Sequence, residues 1–406
     1  MNSQKSVPSR STVTLDTVEG DLLTGQSSVI KGTGTPPRLK VLGTVYCEGN
    51  NIFECHLSAE NLEAEEDVTI RGDLEIRNRV KVEDGKLEVY GKMTAEYIDV
   101  DEALFVSKDL TSKKVDVGGS LKVDGKIEVE DVDVGGSLKV EEEAKVDRID
   151  VGGSILIESK VDIKTLEVGG TAKVKGGKIC DIDVGGSFEA SDQLEFDTID
   201  VGGTVRLSGK NKGCKINVGG SFRVDGDLNF KEIDVGGKVE ITGSGDGGEI
   251  DVGGKLEVGG SLKLSGRLDV GGKVEVEEEI SAEDIEVGGV LRAKKATAED
   301  HVEVGGSINT LEGTNARFVE IGNRGEVHGA IKADQVKIGK EAHVENIFGK
   351  QILLRKGAYA ENIYGENVTI EPRCQINGEI QYTNELRLGD KVSLAKKPQR
   401  VNTIPY

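Results

Sequence analysis

Residues 132–140 read Val132-Asp133-Val134-Gly135-Gly136-Ser137-Leu138-Lys139-Val140. Apolar and polar side chains alternate on either side of a Gly-Gly break. Alternation by two sets Val132, Val134, Leu138 and Val140 on one side of an extended chain, with Asp133 and Lys139 on the other. Just upstream, Ile127 and Val129 supply a third inward pair. The unit predicts three short strands. Its corners are expected at Gly125-Lys126, at Glu130-Asp131 and at Gly135-Gly136, where a residue without a Cβ takes positive φ at little cost.

Val-Gly-Gly recurs with its valine at Val117, Val134, Val151, Val168, Val184, Val201, Val218, Val235, Val252, Val270, Val287 and Val304, in steps of 16 to 18 residues. A period held this long is the mark of a solenoid. A helical repeat fails on two counts. Two glycines per unit cost each helix about 2 kcal/mol, and the apolar period is 2 rather than 3.6. Val and Ile suit a pleated surface. The expected fold is therefore all-β, a single long three-faced parallel β-helix with about 17 residues per coil. An additional Val258-Gly259-Gly260 falls in the second strand of its coil and predicts that a Gly-Gly corner serves a different vertex there.

The pattern extends beyond the glycine array. Leu62-Glu63-Ala64, Val80-Lys81-Val82 and Ile98-Asp99-Val100 keep the register before it. Val319-Glu320-Ile321, Val336-Lys337-Ile338, Ile352-Leu353-Leu354, Val368-Thr369-Ile370 and Leu386-Arg387-Leu388 keep it afterwards. Three parts are expected: residues 1–37, a mostly disordered Ser-rich tail holding at most a partial first coil; residues 38–394, a rod of about 20 coils; and residues 395–406, a basic tail with Lys396, Lys397 and Arg400.

Over about residues 315–392, the segments Val319 to Ile331, Val336 to Ile347 and Val368 to Ile380 resemble the bactofilins, the polymer-forming cytoskeletal proteins. The resemblance implies a right-handed triangular β-helix, disordered tails and nucleotide-independent end-to-end filaments, attached to membrane through the N-terminal tail in some members. This chain departs from the pattern in its many more coils and in its Val-Gly-Gly array.

A formal net charge of −21 makes duplex nucleic acid and anionic lipid poor partners for the body. Cys47, Cys55, Cys180, Cys214 and Cys374 are scattered and match neither a disulfide framework nor a zinc motif. Most are expected as small buried hydrophobes, with Cys214 near a core-facing position. Residues 1–17 hold no apolar run, and no stretch of about 18 apolar residues occurs, so a cytoplasmic protein is expected. The membrane periphery is a second location, reached through the tails.

The clearest exterior feature is a ladder of acids before the repeating valine: Asp99, Asp116, Asp133, Asp150, Glu167, Asp183, Asp200, Asp234, Asp251, Asp269, Glu286, Glu303 and Glu320, with Asn217 the neutral rung. Stacked coils put these carboxylates about 5 Å apart. The row is read as a solvated face balanced by Lys122, Lys139, Lys173, Arg206 and Arg223, or as a strip for divalent ions or a basic partner. His56, His301, His328 and His343 share no repeat position. No Ser/His/Asp or Cys/His set suggests catalysis, and the glycine pairs read as corners rather than phosphate loops. No cofactor, small-molecule substrate or nucleic acid is expected. The open ends of a β-helix must be capped or used, and Leu386, Leu388, Val392 and Leu394 are expected to line a C-terminal junction with another copy. The expected function is a self-assembling cytoskeletal scaffold that forms filaments by end-to-end stacking. The alternative is a non-polymerising rigid scaffold recruiting a partner through its acidic face or tails.

Overall fold

In a computed structural model that describes residues 4–404, every regular element among the described residues is a β-strand. The strand pairings are parallel, between segments one coil apart, and each coil carries three strand segments. The chain divides into two compact units, Met1–Gly203 and Thr204–Tyr406. A solenoid makes contacts only between neighbouring coils, so a long array has no single core to unify it.

In the first unit, Ile127, Val129, Val132, Val134, Leu138 and Val140 fill one coil interior and are at most 4% exposed. Val115-Asp116-Val117 pairs with Val132-Asp133-Val134, which pairs with Ile149-Asp150-Val151. Inward residues thus stack on inward ones, and a one-residue slip would turn every valine to solvent. The corner expected at Glu130-Asp131 is not a turn. Strand Ile127–Val134 runs through it, and the bend is one residue left out of the pairing between Val129 and Asp131.

The Gly-Gly corner is needed for a reason other than positive φ. None of the paired glycines of the array has positive φ. A Cβ on Gly135 would instead lie 2.2 Å from the carbonyl oxygen of Gly118 one coil earlier, and one on Gly152 2.4 Å from that of Gly135. The corner itself is hydrogen-bonded along the axis: Gly135 N–H donates to Val117 O at 2.9 Å and Gly136 N–H to Gly119 O at 2.8 Å. Within the array, coils approach too closely there for a Cβ unless the backbone shifts.

Residues 5–31, expected as mostly disordered, form the strands Lys5–Val7, Thr12–Thr14, Thr17–Val18, Leu22–Thr24 and Val29–Lys31. They are paired into the solenoid: Lys5 with Leu22, Thr12 with Val29 and Leu22 with Val45. Serines and threonines on the outward positions hide the inward series Val7, Leu15, Val18, Leu22 and Ile30, all buried. Gly32 to Pro37 is an excursion, closed by reciprocal backbone bonds between Thr33 and Arg38 at 3.0 and 2.8 Å.

The second unit repeats the same coil. Ile233, Val235, Val239, Ile241, Ile250, Val252, Leu256 and Val258 are buried, and strand Lys255–Val258 precedes the extra corner, where Gly259 N–H donates to Ile241 O at 2.9 Å and Gly260 N–H to Gly243 O at 2.9 Å. After Val304 the register continues without glycine pairs through Ile321, Ile338, Leu354, Ile370 and Leu388. Pairing extends past residue 395, since strand Gln399–Arg400 pairs with Gln381 and Tyr382. The start of the expected basic tail therefore belongs to the last coil.

Candidate functional site

The acidic ladder is in register within each unit. In the first, Asp99, Asp116, Asp133, Asp150, Glu167, Asp183 and Asp200 are successive partners. In the second, Asn217, Asp234, Asp251, Asp269, Glu286, Glu303 and Glu320 follow one another and Lys337 ends the row. Partial burial and the Asp133 and Asp99 carboxylates raise the Asp116 carboxyl. Partial burial with Asp269 and Asp234 does the same to Asp251.

The cations that relieve this repulsion differ from those expected. Lys122 sits 2.7 Å from Asp124, Lys139 3.1 Å from Glu158 and Lys173 3.0 Å from Glu189, all away from the ladder. Arg223 contacts Asp225 at 2.7 Å. The ladder is served instead from the column two residues before its rungs. Arg79 reaches Asp99 at 2.5 Å, Arg148 bridges Asp150 and Glu167 at 3.3 and 3.2 Å, and Arg267 contacts Asp269 and lies 3.0 Å from Glu286. The signal was present in sequence: in a strand, a cation two residues before a rung lies on the rung's own side. Among the described residues, no group of three or more His, Cys, Asp or Glu is arranged to hold a metal ion.

A second charged feature of the Thr204–Tyr406 unit was not anticipated. Lys238, Lys255 and Lys273 stack in one column beside Glu240, Glu257 and Glu275 in the next but one. Lys238 and Lys255 each join carboxylates of their own and the following coil, Lys238 lying 2.9 Å from Glu240 and also contacting Glu257, and Lys255 contacting Glu257 and lying 2.8 Å from Glu275, while Lys273 contacts Glu275 of its own coil. Bonds from Lys255 and Lys273 hold the Glu275 carboxyl down at about 2. Outward aromatics were also missed. Phe348 and Tyr364 stack with centroids 4.8 Å apart, and the Tyr364 hydroxyl donates to Glu379 at 2.7 Å. The repeated Ile-Phe-Gly and Ile-Tyr-Gly at residues 347–349 and 363–365 carried that signal.

The C-terminal coil is open. Ile380 is buried, but Leu386, Val392 and Leu394 are only half-buried and Leu388 is 46% exposed. Of these four residues, singled out as a junction, Leu386, Leu388 and Leu394 continue the columns of Val368, Ile370 and Ile376, which are buried one coil earlier. In the N-terminal coil, Val7, Leu15 and Val18 are 2, 5 and 4% exposed.

Comparison of the chain with protein-family models, curated proteins and solved structures returned no match.

Two grooves run along the coils. One, of about 970 Å³ in the Met1–Gly203 unit, passes over Ser58, Ala95, Thr111 and Ser112 between Glu96 and Lys113. Small residues at inward places (Ala59, Ala95, Ser112) make it concave. Lys113 lies 2.6 Å from Glu96 and Arg77 3.1 Å from Glu60, so its rim charges satisfy one another. The other, of about 800 Å³ in the Thr204–Tyr406 unit, lies beside Glu257, Glu275 and Arg292.

The remaining reactive groups are dispersed. His56 Nδ1 lies 2.9 Å from Asp73, His301 stacks on Phe318 at 4.7 Å, His328 lies 3.3 Å from Glu345, and His343 packs near Tyr359 at 5.4 Å. Cys47, Cys55 and Cys374 are buried, while Cys180 and Cys214 are half-buried. Cys214, half-buried, follows the buried Gly213. Burial pushes the Cys47 thiol up to about 12 and the Cys55 thiol to about 11. No helix among the described residues is long and apolar enough to cross a membrane.

Proposed function

We propose that this protein is a non-enzymatic structural scaffold of the cytoplasm that associates end to end with other copies of itself, without nucleotide. The observation that carries the reading is the open C-terminal coil, where Leu386, Leu388, Val392 and Leu394 stand partly in water. An end coil also presents a free strand edge, which pairs readily with another chain. The likeness of residues 315–392 to the bactofilins supports the same reading. Filaments are the product if both ends engage, and shorter assemblies if one does. Negative-stain electron microscopy of the purified full chain across salt concentrations tests it. Linear assemblies two or more chains long support the reading, and separate single chains at every concentration refute it.

The in-register acidic ladder favours a second reading, a rigid scaffold that recruits a basic partner along one face. Reversing Asp133, Asp150 and Asp183 to lysine separates the two. Recruitment through the ladder is abolished by the change, whereas end-to-end association survives it.

A further inference from the structure

The two ends of this chain are built differently. At the N-terminal end, Lys5 pairs with Leu22 and stands at the inward position that Leu22, Val45, Leu62 and Val80 hold in the following coils. Lys5 is exposed, so the first layer carries a charged side chain in water at a place that later coils fill with buried aliphatic ones. Pro8 occupies the place where Gly25, Glu48, Glu65 and Glu83 each donate a main-chain N–H to the coil before, at 2.8 to 3.0 Å. Proline has no N–H to give. The interior behind them is partly polar: Ser28 and Asn51 are buried, and Asn51 Nδ2 donates to Gly25 O and Ser28 Oγ, both at 2.8 Å. An inward-position charge and an edge proline are the devices that stop strand addition.

The C-terminal end lacks this treatment over two of its faces. Leu386 and Leu388 continue the inward series of Val368 and Ile370, and Leu394 continues that of Ile376. Ser393 and Ala395 donate to Cys374 O and Ile376 O at 2.9 Å. In a parallel ladder alternate residues bond to opposite sides, so the Leu394 main chain between them faces away from the protein. Gly389 N–H bonds back to Ile370 O at 2.8 Å and leaves Leu388 in the same condition. Glu385 and Arg387 flank Leu386 on the outward side, with Arg387 Nε 2.7 Å from Glu385. An edge strand that meets its own copy about a two-fold axis at Leu386 runs antiparallel, and it sets each Glu385 opposite the other copy's Arg387.

We infer that the chain associates through its C-terminal end alone, with one second copy, and that the N-terminal coil is a built-in stop that ends assembly at a two-fold dimer. The inference rests on the end-to-end reading above and narrows it. Residues 385–400 carry five cations and two carboxylates, so two such ends repel. Dimerisation is therefore expected to strengthen with salt, the reverse of a basic end binding an acidic partner.

Analytical ultracentrifugation of the full chain at about 0.1 and 0.5 M salt tests it, with circular dichroism to verify folding of each variant. The expected result is a dimer without longer species, tighter at the higher salt. Leu388→Glu raises the dimer Kd at least about tenfold. Arg387→Glu weakens the dimer, and adding Glu385→Arg restores it. Lys5→Val with Pro8→Val removes the stop and yields assemblies longer than two. Wild-type filaments, a dimer indifferent to Leu388→Glu, or an uncapped variant that remains dimeric overturns the inference and leaves end-to-end association standing. A wild type monomeric at every concentration overturns both.

Discussion

Replacing Gly135 by alanine tests the packing of the whole array, because the same contact recurs at the array's Gly-Gly corners. The added Cβ falls 2.2 Å from Gly118 O and 3.1 Å from Gly118 C. Carbon–oxygen contacts in proteins settle near 3.3 Å, so the two corners must separate by about 1 Å. The obstacle is backbone, which cannot rotate aside as a side chain can. Separation of that size breaks the bond from Gly135 N–H to Val117 O, now 2.9 Å, and strains the one from Gly136 to Gly119, now 2.8 Å. Overpacking costs about 1–3 kcal/mol and a lost hydrogen bond about 1 kcal/mol, so Gly135→Ala should destabilise by about 2–4 kcal/mol. Ser137→Ala, two residues on at an exposed position, is the control and should stay within about 0.5 kcal/mol. Urea denaturation followed by circular dichroism measures both. Equal midpoints for Gly135→Ala and Ser137→Ala would show that axial approach does not select glycine there.

Three other outcomes are expected. Asp116 is raised by partial burial and by carboxylates on either side, so the unfolded chain releases its proton first and the charge opposes folding above that range. Asp116→Asn should stabilise by about 0.2–1 kcal/mol at neutral pH, a gain that fades at acid pH and in high salt and is read from thermal melts. Glu275, held at about 2 against an ordinary 4.5, contributes stability that is present above about 4.5 and lost as pH falls towards 2. Glu275→Gln should lower the urea midpoint at pH 7 and match the wild type below pH 2. Cys47 and Cys55, buried with thiols at about 12 and 11, should resist a thiol reagent at pH 8 in the folded protein and react on unfolding, and prompt labelling of either would place it at the surface.

The coil was legible because its period is exposed at every step of the chain. Alternation fixes which side chains face inward, and twelve evenly spaced Val-Gly-Gly units leave one way to stack them. The acidic ladder followed directly, since a repeat position becomes a column once coils stack in register. Its counter-ions did not. Lys122 and Lys139 lie on the neighbouring strand and were expected to face the ladder, but a corner intervenes and they meet Asp124 and Glu158. Residues 5–31 pair further into the solenoid than the partial first coil expected there, because serine and threonine on outward positions resemble a tail unless the inward series is followed through them.

Local sequence thus determined the strand, its two-sided character and the period, each a property of side chains a few residues apart. The tertiary structure decided what depends on distances between coils. Glycine is required at the corner by a carbonyl 17 residues earlier in the chain, not by its own dihedral angles. Whether an end is closed or open likewise turns on what its last layer presents: an exposed lysine and a proline at one end, four partly covered aliphatic side chains at the other.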